Sequence, residues 1–313
     1  MTTPGTGRPG RAAGTAGPAV APPRVRPFVV EVVRAERLSP AFVRVALRLA
    51  GADADGPPLG CAGDDQRVRL LLPPPAAPPD FDWLDEVPRE PQWYPTVRRW
   101  PGEVTPPQRT YTVRRCRDGG REVDVDVVLH GLDDGSAGPA ARWAAATSAG
   151  DRVLLVGPEA PVPVGVLGSR PGRRAWGLDT WHPDAEQADR WVLAADETAV
   201  PAVSAVLEGL DDDGPQVLAL LEVPSTADAD LPLAPVPARA EVRWLPREDG
   251  DAVGSRLREE LPGAVGDAAR PQVWLAAESG VVQEVRRDLL TGLGLDRARV
   301  DVVGYWRRGR DRS

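Results

Sequence analysis

The sequence predicts two folded units of different class, an antiparallel β-barrel followed by a five-stranded parallel α/β sheet. Three observations carry this. Between Phe28 and Val156, apolar residues recur at every second position in short runs with no long helical pattern between them, the mark of half-buried strands. From Trp191 onward, continuous apolar runs alternate with helical stretches, as in a parallel sheet covered on both faces. Between the two lies 159–190, which holds Pro161, Pro163, Pro171 and Pro183 and shows no period. At 313 residues the chain is long enough for each unit to bury its own core. The division expected is a tail over 1–24, a barrel over 25–158, a connection over 159–190 and an α/β unit over 191–309.

Each element follows in order. Met1 to Pro23 is rich in Gly, Pro, Ala and Thr and has no apolar core of signal-peptide length, so a disordered tail and a cytoplasmic protein are expected. Strands are expected over Phe28 to Val33, around Val43, Val45, Leu47 and Leu49, and around Val68, Leu70 and Leu72. Residues 73–108, loaded with Pro and carrying Trp83, Trp93 and Trp100, read as a long loop of the kind that is functional or mobile. Val123, Val125 and Val127 alternate with Asp124 and Asp126, which predicts a strand with one solvated face. Gly138-Pro139 opens a helix through Ala146, and Arg152 to Val156 is the closing strand. In the second unit, strands are expected at 191–195, 216–223, 241–245, 272–277 and 299–303, with helices near 198–210, 249–261 and 280–290.

Composition excludes several classes. Apolar residues make up 42% of the chain, so most of it should fold; a net charge of −8 and a pI near 5.0 argue against a nucleic-acid binder. All 38 basic residues are Arg, and Lys, Ile and Asn are absent, a coding bias that leaves arginine content with little functional weight. Cys61 and Cys116 form no Cys-x-x-Cys pair, so neither a disulfide scaffold nor a metal cluster is expected and both read as inert. His130 and His182 have no partner at ligand spacing, and no metal site is expected. No run approaches the roughly 18 apolar residues of a membrane span.

The stretch from Arg109 to Trp143 carries the chemistry. Arg109, Tyr111 and Thr112 put a guanidinium, a phenol and a hydroxyl on one probable strand. Arginine is shaped for paired hydrogen bonds to phosphate, tyrosine can cover an aromatic face, and threonine can bond a ring nitrogen. Gly138 and Ala140 are small enough for backbone to approach phosphate at a helix start. The ligand implied has both phosphate and a flat ring, as a flavin dinucleotide does. His130, at a strand end before a glycine, reads equally as a structural histidine or a ligand contact, and Trp143 as a residue packing its helix on the barrel.

These segments resemble a known family. Arg109-x-Tyr111-Thr112-x-Arg114, Val127-x-Leu129-His130-Gly131 and Gly138-Pro139-Ala140-x-x-Trp143 are similar to the FAD-binding half of the siderophore-interacting proteins, a branch of the ferredoxin-reductase-like flavoproteins. Asp196 to Ala202, Val273 to Glu278 and Gly304 to Gly309 extend the resemblance over about residues 28 to 309. It implies an FAD-binding barrel and an NAD(P)-binding-like α/β domain. It also implies an FAD set of Arg109, Tyr111, Thr112, Val113, Val128, His130, Gly138, Pro139 and Ala140. On the donor side stand Asp196, Glu197, Thr198 and Glu278, at strand ends where such sheets bind ligands. Two carboxylates at a helix start suit the dipole but repel a pyrophosphate, and Ala195 and Ala277 stand where the family usually has Gly. Helix capping is an equal reading of Asp196 and Glu197. NADPH or NADH is the expected donor, with ferredoxin as the other source the family uses.

The activity implied is reduction of a ferric siderophore. Hard oxygen ligands hold Fe(III) far better than Fe(II), so reduction loosens the chelate. Many such chelates are anionic, which makes Arg69, Arg142 and Arg307 the substrate candidates and predicts a basic mouth on an acidic protein. Aromatics Tyr305 and Trp306 are expected to shield the flavin. A monomer without a nucleic-acid or membrane partner is expected. Two other classes stay open: a siderophore-binding module without reductase activity, and a general flavin reductase.

Overall fold

The computed structural model describes residues 23–61, 65–76, 82–90, 92–132, 135–162, 188–233 and 236–309. The expected tail, except Pro23 and Arg24, and most of the 159–190 connection lie outside them.

In the first half, β1 (Val25–Ser39), β2 (Phe42–Leu49), β3 (Arg67–Leu71), β4 (Gln108–Thr112), β5 (Arg115–Arg117), β6 (Glu122–Val128) and β7 (Arg152–Pro158) form one antiparallel sheet in the order β4-β3-β7-β1-β2-β6-β5. The sheet curls until its ends meet. Just past β4, the Val113 N–H donates to the Gln66 carbonyl and the next residue, Arg114, donates to the Asp124 carbonyl on β6, each at 2.8 Å. The period-two pattern is what makes this possible. Val30, Val45, Val68, Leu70, Val125 and Leu155 all point inward and are essentially inaccessible. Each such side chain contributes roughly 1.5–3 kcal/mol relative to exposure.

The other face departs from expectation at three places. Asp124 and Asp126 are not solvated. Arg44 lies directly across from Asp126 and grips it through bonds of 2.7 and 2.8 Å, while Arg117 pairs with Asp124. The second half of the chain packs over β2, where Phe42 joins a cluster with Trp191, Val200 and Val203, so those carboxylates needed partners. Residues 73–108 are not simply a loop. They form α1 (Trp83–Glu86) and α2 (Trp93–Val97), whose Trp93 and Val97 cover Val29, Leu71, Leu154 and Val156 on the outside of the sheet. That apolar outer surface required a cover.

Cys61 and Cys116, expected to be unpaired, form a disulfide. Their 55-residue separation hid the pairing. Because Arg67 on β3 is paired with Thr112 on β4, the chain before β3 and the chain after β4 leave the ladder at the same end. No spacing rule along the sequence reveals that.

The second half holds β8 (Arg190–Ala195), β9 (Gln216–Val223), β10 (Ala240–Pro246), β11 (Pro271–Glu278) and β12 (Val300–Trp306), all parallel, in the order β10-β9-β8-β11-β12. With α3 (Pro139–Ala146) belonging to the first half, the helices here are α4 (Val200–Glu208) on one face and α5 (Ser255–Gly266) and α6 (Ser279–Arg287) on the other. The helix expected from Asp249 begins only at Ser255. Gly254 before it has φ +84°, and a Cβ there would meet Val281 Cγ1 at 2.4 Å. Buried Glu222 takes the Gly254 N–H at 2.6 Å and so fixes where the helix starts.

Strand order reverses between β8 and β11, which opens a crevice at their carboxyl ends. The halves are also tied by side chains. Asp228 accepts from the Ser39 hydroxyl at 2.6 Å and the Ala41 N–H at 2.9 Å, and Arg114 pairs with Glu208. Among the described residues, no helix is long and apolar enough to cross a membrane.

Candidate flavin site between the two sheets

A cavity of about 530 Å3 lies where the two halves meet. β3 and β4 supply Arg67, Arg69, Gln108, Arg109, Tyr111 and Thr112; the end of β6 supplies Asp126, Val128 and, two residues on, His130. Gly138, Ala140 and Ala141 come from the start of α3, and Thr198, Pro201, Gly304, Tyr305 and Trp306 from the parallel half. Seven of the nine residues expected on the FAD side, Arg109, Tyr111, Thr112, Val128, His130, Gly138 and Ala140, therefore meet in one cavity.

The backbone explains why. At the end of β6 the chain turns at Gly131, φ +68°, where a Cβ would strike Ser136 Oγ at 2.3 Å. The Ala137 N–H returns to the Gly131 carbonyl at 2.8 Å and sets α3 beside the strand end. Gly138 is the N-cap of α3 and offers no side-chain cap, and nothing lies within 4 Å of where its Cβ would be. Pro139 carries no N–H, so the free donors of this helix start belong to Ala140 and Ala141, both of which line the cavity. An open helix start with Arg67, Arg69 and Arg109 around the same cavity suits a pyrophosphate, and Tyr111 suits a ring. The residues present fit FAD.

The wall is partly organised already. Thr112 and Tyr305 line the same wall, bringing β4 to the end of β12. Burial raises both Tyr111 and Tyr305 above the ordinary phenol value, so both stay neutral. His130 stacks on Trp306 with centroids 5.6 Å apart and planes at 26°. Burial lowers the His130 pKa and outweighs the Glu197 carboxylate 3.8 Å from Nδ1, so the imidazole is neutral at pH 7. Arg69 donates to Gln108 at 3.1 Å and lies over the Tyr94 ring at 5.8 Å.

Several expected residues sit elsewhere. The Val113 side chain turns into the barrel core, and Pro139 is the first residue of α3 outside the lining. Arg142 is exposed and donates back to the Ala137 carbonyl, and Arg307 is exposed beyond the end of β12; neither lines the cavity. Residues not singled out also contribute, among them Arg67, Gln108 and Tyr94. Arg67 alternates with Arg69 in a legible strand pattern. Tyr94 gave no such signal, because it stands among prolines without a period.

On the parallel side, Thr198 reaches the cavity, but Asp196, Glu197 and Glu278 do not line it. Asp196 is fully buried. Its Oδ1 accepts from the Thr198 N–H at 3.0 Å and the Thr198 hydroxyl, and its Oδ2 from the Glu278 N–H and the Trp306 indole N–H, each at 2.8 Å. Burial, helped by the Glu197 charge, pushes its pKa up to about 7. Glu278 caps α6 through the N–H groups of Gly280 and Val281. Burial alone would raise its pKa, but the donors of Val281, Arg308 and Gly280 together hold it below the ordinary value. The capping reading of Asp196 is thus what the bonds describe, and Glu278 plays the same part for α6.

A curled antiparallel sheet, a five-stranded parallel sheet and a cavity between them define the ferredoxin-reductase-like class. The ferredoxin reductase of a carbazole 1,9a-dioxygenase shares this fold at a TM-score of 0.55 and 14% identity, covering 92% of this chain and 69% of its own. Within that class the chain belongs to the siderophore-interacting protein family. The model of the siderophore-interacting FAD-binding domain matches residues 31–162, and that of the siderophore-interacting protein matches 188–309. A siderophore utilization protein from T. fusca is 30% identical with a TM-score of 0.63, covering 92% of this chain and 95% of that one. The siderophore-interacting protein SipS from Aeromonas hydrophila is 25% identical at 0.62, covering 91% and 93%. The ferric vibriobactin reductase ViuB of Vibrio cholerae is 30% identical over 215 residues, 68% of each chain.

Proposed function

We propose that this protein is an FAD-dependent reductase of ferric siderophores that releases Fe(II) in the cytoplasm. The observation that carries the reading is the meeting of Arg109, Tyr111 and the uncapped start of α3 in one cavity. Residues 25–158 are the FAD-binding domain in this reading and 191–309 the donor-side domain. FAD, when bound, supplies the step from a two-electron donor to a one-electron acceptor.

The chain's own residues bind and orient. Arg109 and the Ala140 and Ala141 N–H groups hold phosphate, Tyr111 covers a ring face, and Tyr305 with Trp306 keeps water from the parallel side. No side chain has to act as nucleophile or general base. Arg67 and Arg69 make the cavity locally basic on a chain of net charge −8, which favours an anionic ferric chelate.

NADPH or NADH is the first donor to test. Reduced ferredoxin is the second reading, and a specific observation favours it: Asp196 and Glu278 already take the N–H groups at the two turns where a dinucleotide pyrophosphate would sit. Anaerobic mixing of the FAD-loaded protein with each donor decides, followed by a ferric siderophore and a ferrous-specific chelator. Bleaching and chelator colour support reduction. A protein that takes up no FAD ends the proposal, and one that bleaches but turns over without iron is a general flavin reductase.

A further inference from the structure

Asp196 stands out among the buried groups because no step of the proposed reaction uses it. All four acceptor positions of its carboxylate are filled, by the Thr198 N–H and hydroxyl on Oδ1 and by the Glu278 N–H and Trp306 indole on Oδ2. A carboxylate so occupied has no capacity left for a nucleotide or a substrate. What it does is gather three strand ends, since Asp196 follows β8, Glu278 ends β11 and Trp306 ends β12. Of its partners, Trp306 differs in kind. Glu278 contributes only backbone, whereas the Trp306 ring lines the cavity and stacks on His130 from the other half of the molecule.

An indole on a terminal strand residue has two soft torsions, and stacking alone leaves it free to slide in its plane. A hydrogen bond from Nε1 to an immobile carboxylate removes that freedom. The acceptor is immobile because its other oxygen is held by Thr198 and its own backbone N–H donates to the Ala276 carbonyl at 3.2 Å. Beside it, Glu197 is locked by Arg247 through bonds of 2.8 and 2.9 Å and faces the His130 ring. Neighbouring carboxylates on one turn thus face the two stacked rings of one cavity wall.

We propose that Asp196 is a positioning residue for the flavin site: by fixing the Trp306 indole against His130 it sets the aromatic wall that faces bound FAD. The proposal rests on the FAD reading of the cavity. It assigns to Asp196 a role toward the cofactor in place of the donor-binding role that its sequence position suggested.

A double-mutant cycle tests it, using Asp196→Asn, Trp306→Phe and the combination in the full chain, read by FAD affinity and by the fluorescence of bound FAD. Asn keeps the size but turns an NH2 toward donors, and Phe keeps an aromatic ring without the N–H. At pH 8, where Asp196 is ionised, Asp196→Asn is expected to weaken FAD on the order of ten-fold, the scale of a hydrogen bond to a charged group, and to brighten the bound flavin. In the Trp306→Phe background most of that effect should vanish. Equal effects in both backgrounds would overturn the proposal, because Asp196 would then act by another route. Should Asp196→Asn not fold, the wild-type protein still decides. The Trp306 indole N–H, identified in nitrogen-15 tryptophan spectra by its loss in Trp306→Phe, should be protected from exchange with and without FAD, and fast exchange in the loaded protein rejects the role. Wild-type protein that binds no FAD would instead remove the underlying reading.

Discussion

Arg247 holds Glu197 in a two-pronged pair at 2.8 and 2.9 Å while its Nη1 also reaches Glu222 at 2.9 Å. Glu197 and Glu222 are almost wholly inaccessible, and only 12% of the arginine side chain is exposed. Removing the shared cation would leave Glu197 without its ion-pair partner in the buried site and Glu222 with backbone N–H donors alone. Arg247→Met is therefore expected to lose about 3–5 kcal/mol of stability. Urea denaturation measures it, and a variant within about 1 kcal/mol of wild type would show that water already serves these carboxylates.

Arg109 and Tyr111 both line the cavity. Arg109→Ala should weaken FAD by about ten- to a hundred-fold, the range for charge-assisted hydrogen bonds, and give a protein that purifies without yellow colour. Fluorescence titration of the apoprotein gives the constant. Undiminished affinity would take Arg109 out of the phosphate site.

Substrate attraction separates two of the expected arginines. Arg69 lines the cavity and Arg307 does not. Arg69→Gln should raise KM for an anionic ferric chelate, with the difference shrinking as salt is added, while Arg307→Gln should leave kcat/KM unchanged. The opposite pattern would move the chelate away from the barrel side of the cavity.

The raised pKa of Asp196 has a pH signature. Its folded value is about 7 against an ordinary 3.8, so between these values the folded protein holds, at the expense of one of the four donor bonds, a proton that the unfolded chain has lost. That contribution to stability is complete below pH 3.8 and disappears as pH rises through 7. Asp196→Asn, which does not titrate, should lack this decline when unfolding midpoints are followed from pH 4 to 8. His130, lowered by burial, works the other way, and its penalty disappears above the ordinary value of 6.5. An identical profile for wild type and Asp196→Asn would contradict the assignment.

The Cys61–Cys116 bond closes a loop of 55 residues. By chain entropy such a loop stabilises by about 4 kcal/mol. Denaturation with and without dithiothreitol, and of Cys61→Ser, should reveal a loss approaching that size. No difference would mean that residual structure already confines the unfolded chain as much as the bond does.

Much of this protein is legible along the chain because the governing physics is local. Period-two burial placed the strands of the barrel, continuous apolar runs placed the parallel sheet, and Gly138-Pro139 announced a helix start. Arg109, Tyr111 and Thr112 lie within four residues on one strand, so their meeting in one cavity was foreseeable without the rest of the fold. Helix boundaries were less legible. The start of α5 is set at Gly254 because buried Glu222, distant in sequence, takes its N–H, and Val281 leaves no room there for a Cβ.

What the tertiary structure alone decided depends on partners distant in sequence. Asp124 and Asp126 look like a wet face until Arg44 and Arg117 arrive beside them and α4 closes over the strand. Cys61 and Cys116 are unrelated until the β3–β4 register brings their ends together. Asp196 reads as a donor-side carboxylate until Trp306, separated by 110 positions, donates to it. Strand and helix patterns are set by each residue's own burial and torsions; pairing of charges, sulfurs and rings is set by which surfaces packing brings into contact.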